Sequence, residues 1–238
     1  MNRNLTICFT SDIHGYFSDM DYATGMSGTT GLSRCASTFS HDGNTLILDG
    51  GDILQGSPFA YWLSRSPVEG AKVSARVMNL AGYQFVTIGN HDFNFGRETL
   101  ESYLSHLDAR CVSANVEGVA GVERIAVVIT GVTTHFVNLW EKPENLEGIT
   151  VREAFPAAAA ALEELKKANV DITVCIYHGG FENDLTTGEL LSDTGENQAY
   201  RICKELDFDI LLTGHQHQAK AGLQLFGTYA CQSPDRCR

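Results

Sequence analysis

Short runs of apolar and β-branched residues alternate along the chain with longer stretches of helical character. The runs at 5–10, 45–48, 85–88, 124–129, 172–177 and 208–213 are too short for helices and are flanked by glycine or polar residues, so they predict strands. Residues 72–80, 97–107 and 153–168 predict helices. The last is rich in Ala, Leu, Glu and Lys, and tolerates Pro156 only because it lies near the first turn. Strands separated by helices predict a layered α/β fold. No repeat, low-complexity tract or proline-rich linker interrupts the pattern, so no internal domain boundary is expected.

The polar residues that follow these strands carry the candidate chemistry. Five clusters stand at strand ends: Asp12-Ile13-His14-Gly15, Gly51-Asp52, Gly89-Asn90-His91-Asp92, His178-Gly179-Gly180 and Gly214-His215-Gln216-His217. Ligands of α/β sheets bind at the carboxyl ends of strands, so clusters far apart in sequence can converge there. Asp12 and His14, like His215 and His217, are two residues apart, and in an extended chain such pairs point the same way. The adjacent glycines allow sharp turns and leave room for a bound group.

Two Asp, one Asn and four His make up the ligand set Asp12, His14, Asp52, Asn90, His178, His215 and His217, with His91 left for other work. Mixed oxygen and nitrogen donors suit Mn²⁺, Zn²⁺ or Fe better than an all-oxygen Ca²⁺ or Mg²⁺ site. Seven ligands exceed one tetrahedral zinc. They suit two ions sharing a carboxylate about 3.5–4 Å apart, an arrangement that clamps the attacking and leaving oxygens of a phosphoryl displacement. A lone Asp-x-His at a strand end is more often a polar turn or cap, Gly51-Asp52 alone is a weaker signal still, and Asn90-His91-Asp92 could be an ordinary loop; the ordered set after strands is what points to a site.

Composition narrows the setting. Of 238 residues 43% are hydrophobic and 19% charged, which excludes a disordered or coiled-coil chain. The balance of 17 basic against 29 acidic residues gives −12, which excludes reading of a nucleic acid polymer and requires bound metal if the substrate is anionic. Seven cysteines without a C-x-x-C pair predict small core residues rather than a disulfide framework or structural zinc. Neither a leader-like segment nor an eighteen-residue apolar run is present, so the sequence as it stands predicts a cytoplasmic protein without membrane partners. A secreted or cell-wall location stays open if a leader has been removed.

The ordered set D-x-H, G-D, G-N-H-D, H-G and G-H-x-H resembles the calcineurin-like metallophosphoesterases over nearly the whole chain. The flanking residues 51–58, Met78-Asn79, 89–96, Ala114-Asn115-Val116 and 194–197 resemble the 5′-nucleotidase and 2′,3′-cyclic-nucleotide 2′-phosphodiesterase/3′-nucleotidase group, most of all its cyclic phosphodiesterases. The resemblance implies β-sheets stacked as a sandwich and flanked by helices, with a dinuclear metal site at the C-terminal strand ends. It assigns Asp12, His14 and His217 to one ion, Asn90, His178 and His215 to the other, and Asp52 to the bridge. His91 becomes the non-ligand histidine that meets a phosphate oxygen or the leaving group, while a metal-bridging hydroxide attacks phosphorus. Some 5′-nucleotidases carry Asp three residues after this histidine; Asn94 stands here, matching the cyclic-phosphodiesterase pattern and leaving the orienting partner of His91 unidentified.

The implied cofactors are two divalent ions, Mn²⁺ or Zn²⁺, with Fe and Co as further candidates, and the implied substrate is a small nucleotide. A phosphatase or phosphodiesterase for another small phosphoester, and a catalytically idle metal- or nucleotide-binding protein, are the alternatives. Relatives also carry a C-terminal nucleotide-binding domain, so residues 1–238 are expected to be a catalytic domain truncated before its last strands, with that second domain absent. Oligomeric state is left open. Asp49 reads either as a carboxylate supporting a histidine ligand or as a strand-end turn residue; Phe59, Tyr61, Trp62 and Phe95 read as base contacts or as core. His41, His106 and His135, outside the clusters, are expected to be surface or locally satisfied histidines.

Overall fold

The structure, a computed structural model, describes residues 4–237. Two main sheets lie face to face. The first is wholly parallel, in the order Thr6–Thr10, Thr45–Asp49, Phe85–Val86, Arg110–Val112 and Val122–Glu123. The second runs Lys220–Leu225, Thr228–Gln232, Ile210–Thr213, Val174–His178, Ile129–Thr133 and Ile125–Ala126, parallel in its four central strands and antiparallel at both edges. The expected sandwich is therefore present.

Strand alternation builds the layers. Val174 and Ile176 point between the sheets with Leu48, Phe85, Val112, Ile129 and Leu212, whereas Cys175 and Tyr177 point outward to the helix Ala154–Lys167. Ile47 turns the opposite way from Leu48, into an outer cluster with Ala75 and Met78 of the helix Pro67–Ala81 and Leu100 and Tyr103 of the helix Gly96–Ser105. Helices thus cover both outer faces. All three predicted helices form, and Pro156 sits in the first turn of its helix. All seven cysteines are free thiols, three of them buried.

The run 124–129 departs from its reading as one strand. Ile125 pairs with Thr130 and Ala126 with Ile129, so Val127 and Val128 form a two-residue turn, with Val127 at φ 58°. A β-branched residue rarely adopts that conformation, and no Gly, Asn or Pro announces it. Burial decides: the hairpin puts both Ala126 and Ile129 between the sheets. The helix Pro58–Leu63 is a further element that the apolar pattern does not predict, although its cue is local, with Pro58 at the first position and the Ser57 hydroxyl accepting from Ala60 N at 2.9 Å. Tyr61 and Trp62 of this helix are exposed, while Phe59 and Phe95 pack on the core.

Ile176→Ala should destabilise the fold by about 2–5 kcal/mol, since it empties the space between the sheets. Leu80→Ala, on the exposed face of the helix Pro67–Ala81, should stay within about 0.5 kcal/mol. Urea unfolding of both variants checks the layering, and similar losses would contradict it.

Candidate metal centre

All five polar clusters stand at carboxyl ends of strands, three on the first sheet and two on the second, so the site straddles the sandwich edge. One ligand atom each from Asp12, His14 and His217, and from Asp12, Asp52 and His178, lies within 4.8 Å of the others. His178 Nε2 also lies 3.1 Å from Asn90 Oδ1. Asp52 Oδ2 stands between His178 Nε2 at 3.3 Å and His14 Nε2 at 3.9 Å, between the two groups.

The backbone reaches this arrangement in an unforeseen way. Asp12, His14, Asp52, His215 and His217 all have φ between 52° and 67°, so the Asp-x-His and His-x-His pairs converge through left-handed residues and not through an extended chain. Such non-glycine conformations are costly and persist where the surroundings impose them. The glycines serve the neighbouring carboxylates: a Cβ on Gly89 would stand 2.2 Å from Asp52 Oδ1, and one on Gly214 would stand 2.5 Å from Asp12 Oδ2.

Asp92, a residue with no role expected from its motif, holds two of the turns together. Its Oδ1 accepts from Ile53 N at 2.8 Å and Leu54 N at 3.0 Å, and its Oδ2 from Asp52 N at 2.8 Å and Gly89 N at 2.9 Å. Across the sheets, His215 N donates to Asp12 Oδ2 at 2.9 Å and His178 Nδ1 to Gly50 O at 2.7 Å. Asn115, one of the resemblance residues, is likewise structural: its buried amide bonds Thr133 and Arg152 main-chain groups.

Hydrogen bonds also fix which histidine nitrogens are free. A carbonyl only accepts, so Gln55 O at 2.7 Å from His14 Nδ1, and Gly50 O for His178, place the proton on Nδ1 and leave Nε2 facing the cluster. His215 is the reverse case: Glu196 Oε1, 2.9 Å from its Nε2, takes the proton there and leaves the Nδ1 lone pair. Glu196 was legible only as part of the resembling stretch 194–197. Trp140 stacks on the His215 ring at 5.5 Å, and no sequence cue marked it.

Charge in the cluster is unbalanced. Burial opposes ionisation of Asp52, yet His178, His14 and His91 hold its carboxyl well below the usual range. Burial likewise opposes charge on Asp12, and His217 and His178 outweigh it. His178 is pushed up to about 10, its burial overcome by Asp52. Asp12 Oδ1 is buried without a hydrogen bond, 3.3 Å from His217 Nε2, and His14 Nε2 and His217 Nε2 face each other at 3.1 Å. An orphaned carboxylate oxygen among imidazole nitrogens fits a divalent cation.

The remaining candidates separate. Asp49 accepts from Thr10 Oγ1 at 2.7 Å and Gly51 N at 2.9 Å at the end of its strand. His41 is exposed and His106 bonds Ser102 O at 2.9 Å, but His135 is half-buried with Nδ1 unpartnered, against expectation. His91 stands at the rim, its ring centroid 5.4 Å from that of His14, and its N donates to Asp52 Oδ1 at 2.7 Å.

A two-sheet α/β sandwich with this cluster at its strand ends has the architecture of a metallophosphoesterase. The calcineurin-like phosphoesterase family model matches residues 5–219, and the chain belongs to that family. The trifunctional nucleotide phosphoesterase YfkN of Bacillus subtilis is 27% identical over 90% of this chain and 16% of its own length. The 2′,3′-cyclic-nucleotide 2′-phosphodiesterase/3′-nucleotidase of Haemophilus influenzae is 25% identical over 90% of this chain and 36% of its own length. A crystal structure from Staphylococcus aureus, provisionally described as a 5′-nucleotidase, superposes with TM-score 0.86 and 30% identity, covering 98% of this chain and 49% of that one. The chain thus spans half or less of each of these three proteins.

Asp92→Asn should destabilise the protein by about 2 kcal/mol or more, because an NH₂ would face two backbone N–H groups. Equilibrium unfolding with and without metal checks this, and an unchanged midpoint would refute the clamp. A second expectation concerns protons. His178 is charged below pH about 10 in the metal-free protein and must be neutral to bind a cation, so metal binding at pH 8 should release protons and strengthen as pH rises. Calorimetry in buffers of different ionisation enthalpy measures the release.

Proposed function

We propose that this chain hydrolyses phosphoester bonds of nucleotides, as a 2′,3′-cyclic-nucleotide 2′-phosphodiesterase/3′-nucleotidase or a 5′-nucleotidase. One observation carries the reading: the buried Asp12 carboxylate is shared by two groups of candidate ligands, one with His14 and His217 and one with Asp52 and His178. Asp12, His14 and His217 would hold one ion, Asn90, His178 and His215 the other, and Asp52 both, with Mn²⁺ or Zn²⁺ suited to the mixed donors. When bound, two such ions supply a nucleophile near neutral pH and offset the phosphate charge that a chain of net −12 would otherwise repel.

The protein's own part is orientation and proton supply. The carbonyls of Gln55 and Gly50 take Nδ1–H of His14 and His178 so that Nε2 of each faces the cluster, and the Glu196 carboxylate takes Nε2–H of His215. His91, at the rim and outside the ligand set, would deliver a proton from Nε2 to the departing ester oxygen. The names of the relatives support small nucleotides as substrates. Among the described residues no helix is long and apolar enough to cross a membrane.

Purified protein should bind close to two transition ions per chain, and chelation should abolish hydrolysis. Asp52→Asn should cost the most of any ligand change, and His91→Ala should keep its metal while losing about 10²-fold in turnover. Elemental analysis with a panel of cyclic, 3′- and 5′-nucleotides tests all three. Activity that survives chelation would sink the reading, and turnover of non-nucleotide esters alone would move it to another small phosphoester.

A further inference from the structure

The partner that orients His91 can be read from the segment crossing the rim of the site. His91 Nδ1 lies 2.8 Å from Asn94 Oδ1. A neutral amide could present either its oxygen or its NH₂ to the ring, and the two choices impose opposite tautomers. With the oxygen inward, Nδ1 carries the proton and Nε2 is left to face the substrate. With NH₂ inward, Nδ1 must be an acceptor, and a doubly protonated ring would meet N–H against N–H.

Glu141 makes that choice. Asn94 Nδ2 donates to Glu141 Oε2 at 2.5 Å, and an ionised carboxylate only accepts. The carboxylate itself is held: its Oε1 accepts from Asn145 Nδ2 at 2.9 Å and from Lys142 N at 2.7 Å, and the same Asn145 group reaches Asn94 O at 2.8 Å. The short helix Val137–Trp140 carries Glu141 at its end, with Val137 buried, Asn138 Nδ2 bonded to Val151 O at 2.8 Å, and Trp140 stacked on His215. Both ends of the site are therefore braced by adjacent residues of one segment.

We propose that Glu141 is a positioning residue: it fixes the Asn94 amide oxygen on His91 Nδ1–H, so the ring is oriented and Nε2 is the nitrogen that takes up a second proton from water and passes it to the departing oxygen. It touches no substrate. An aspartate at 94 would do the same task directly, so here the carboxylate stands one amide further out. The inference rests on the reading of His91 as the group that meets the leaving oxygen.

The isosteric change Glu141→Gln tests it. The new side-chain oxygen would take the two donors from Asn145 and Lys142, turning the new NH₂ toward Asn94 and forcing that amide to flip. In Zn²⁺-loaded protein, ¹⁵N NMR of His91 should show Nδ1–H in the wild type and Nε2–H in Glu141→Gln; the same tautomer in both overturns the proposal, whatever the activity. With Mn²⁺ and phenyl phosphates running from p-nitrophenyl to unsubstituted phenyl, Glu141→Gln should lose about 10-fold more kcat on the poorest leaving group than on the best, with KM and metal content near wild type.

The double variant provides the rescue. Asn94→Asp alone sets two carboxylates against each other and should also lose activity. Combined with Glu141→Gln, the carboxylate introduced by Asn94→Asp can accept both from the new amide NH₂ and from His91 Nδ1–H. The double variant should therefore recover most of the lost kcat, which a merely structural role for Glu141 would not produce. Additive losses would refute the relay. If His91→Ala shows no leaving-group dependence, the role given to His91 fails, while the tautomer measurement still decides whether Glu141 positions the ring.

Discussion

One carboxylate outside the ligand set fixes the geometry that the ligands need. Asp92 takes four main-chain N–H groups, two on each oxygen, from the turns that follow the second and third strands of the first sheet. Those turns carry Asp52 and Asn90. Because the acceptor is buried, leaving any of the four donors unpaired costs free energy on the scale of a lost hydrogen bond. The turns therefore cannot drift apart without breaking several bonds at once, and the position of Asp52 is set before any ligand arrives.

From this anchor the rest of the site follows by close approach. A side chain at Gly89 would run into the Asp52 carboxylate, and one at Gly214 into Ser11 Oγ and the Asp12 carboxylate. Five candidate ligands occupy left-handed backbone, at a cost of the order of 1 kcal/mol or more each. The Asp12 and Asp52 carboxyls are buried beside imidazoles that hold them below their usual range. A folded chain that concentrates backbone strain and buried carboxylates in one place is stabilised by whatever cation binds there, through mass action.

Histidine orientation in this protein is chiefly a main-chain property. Backbone carbonyls of Gln55 and Gly50, each on a turn held by neighbouring strands, decide which nitrogen faces inward on His14 and His178. Side-chain carboxylates take over where the main chain is out of reach, Glu196 for His215 and, through Asn94, Glu141 for His91. Placing such partners on the sandwich edges lets the site join two sheets while each sheet keeps its own core.

The amino-acid sequence by itself determined the α/β layering and the identity of the clustered residues, because strand periodicity, glycine turns and the order of short polar motifs are local features. It also marked His91 as distinct from the ligands. Only the tertiary structure decided how they meet. The turn at Val127 has no residue signal and follows from burying Ala126 and Ile129. The left-handed backbone of the Asp-x-His and His-x-His pairs replaces the extended chain that the spacing suggested. Asp49 proved a strand-end residue, and Glu141 reaches Asn94 across 47 positions. Hydrogen-bond direction depends on which main-chain and side-chain atoms face one another after the sheets have stacked, and nothing in local residue order encodes that.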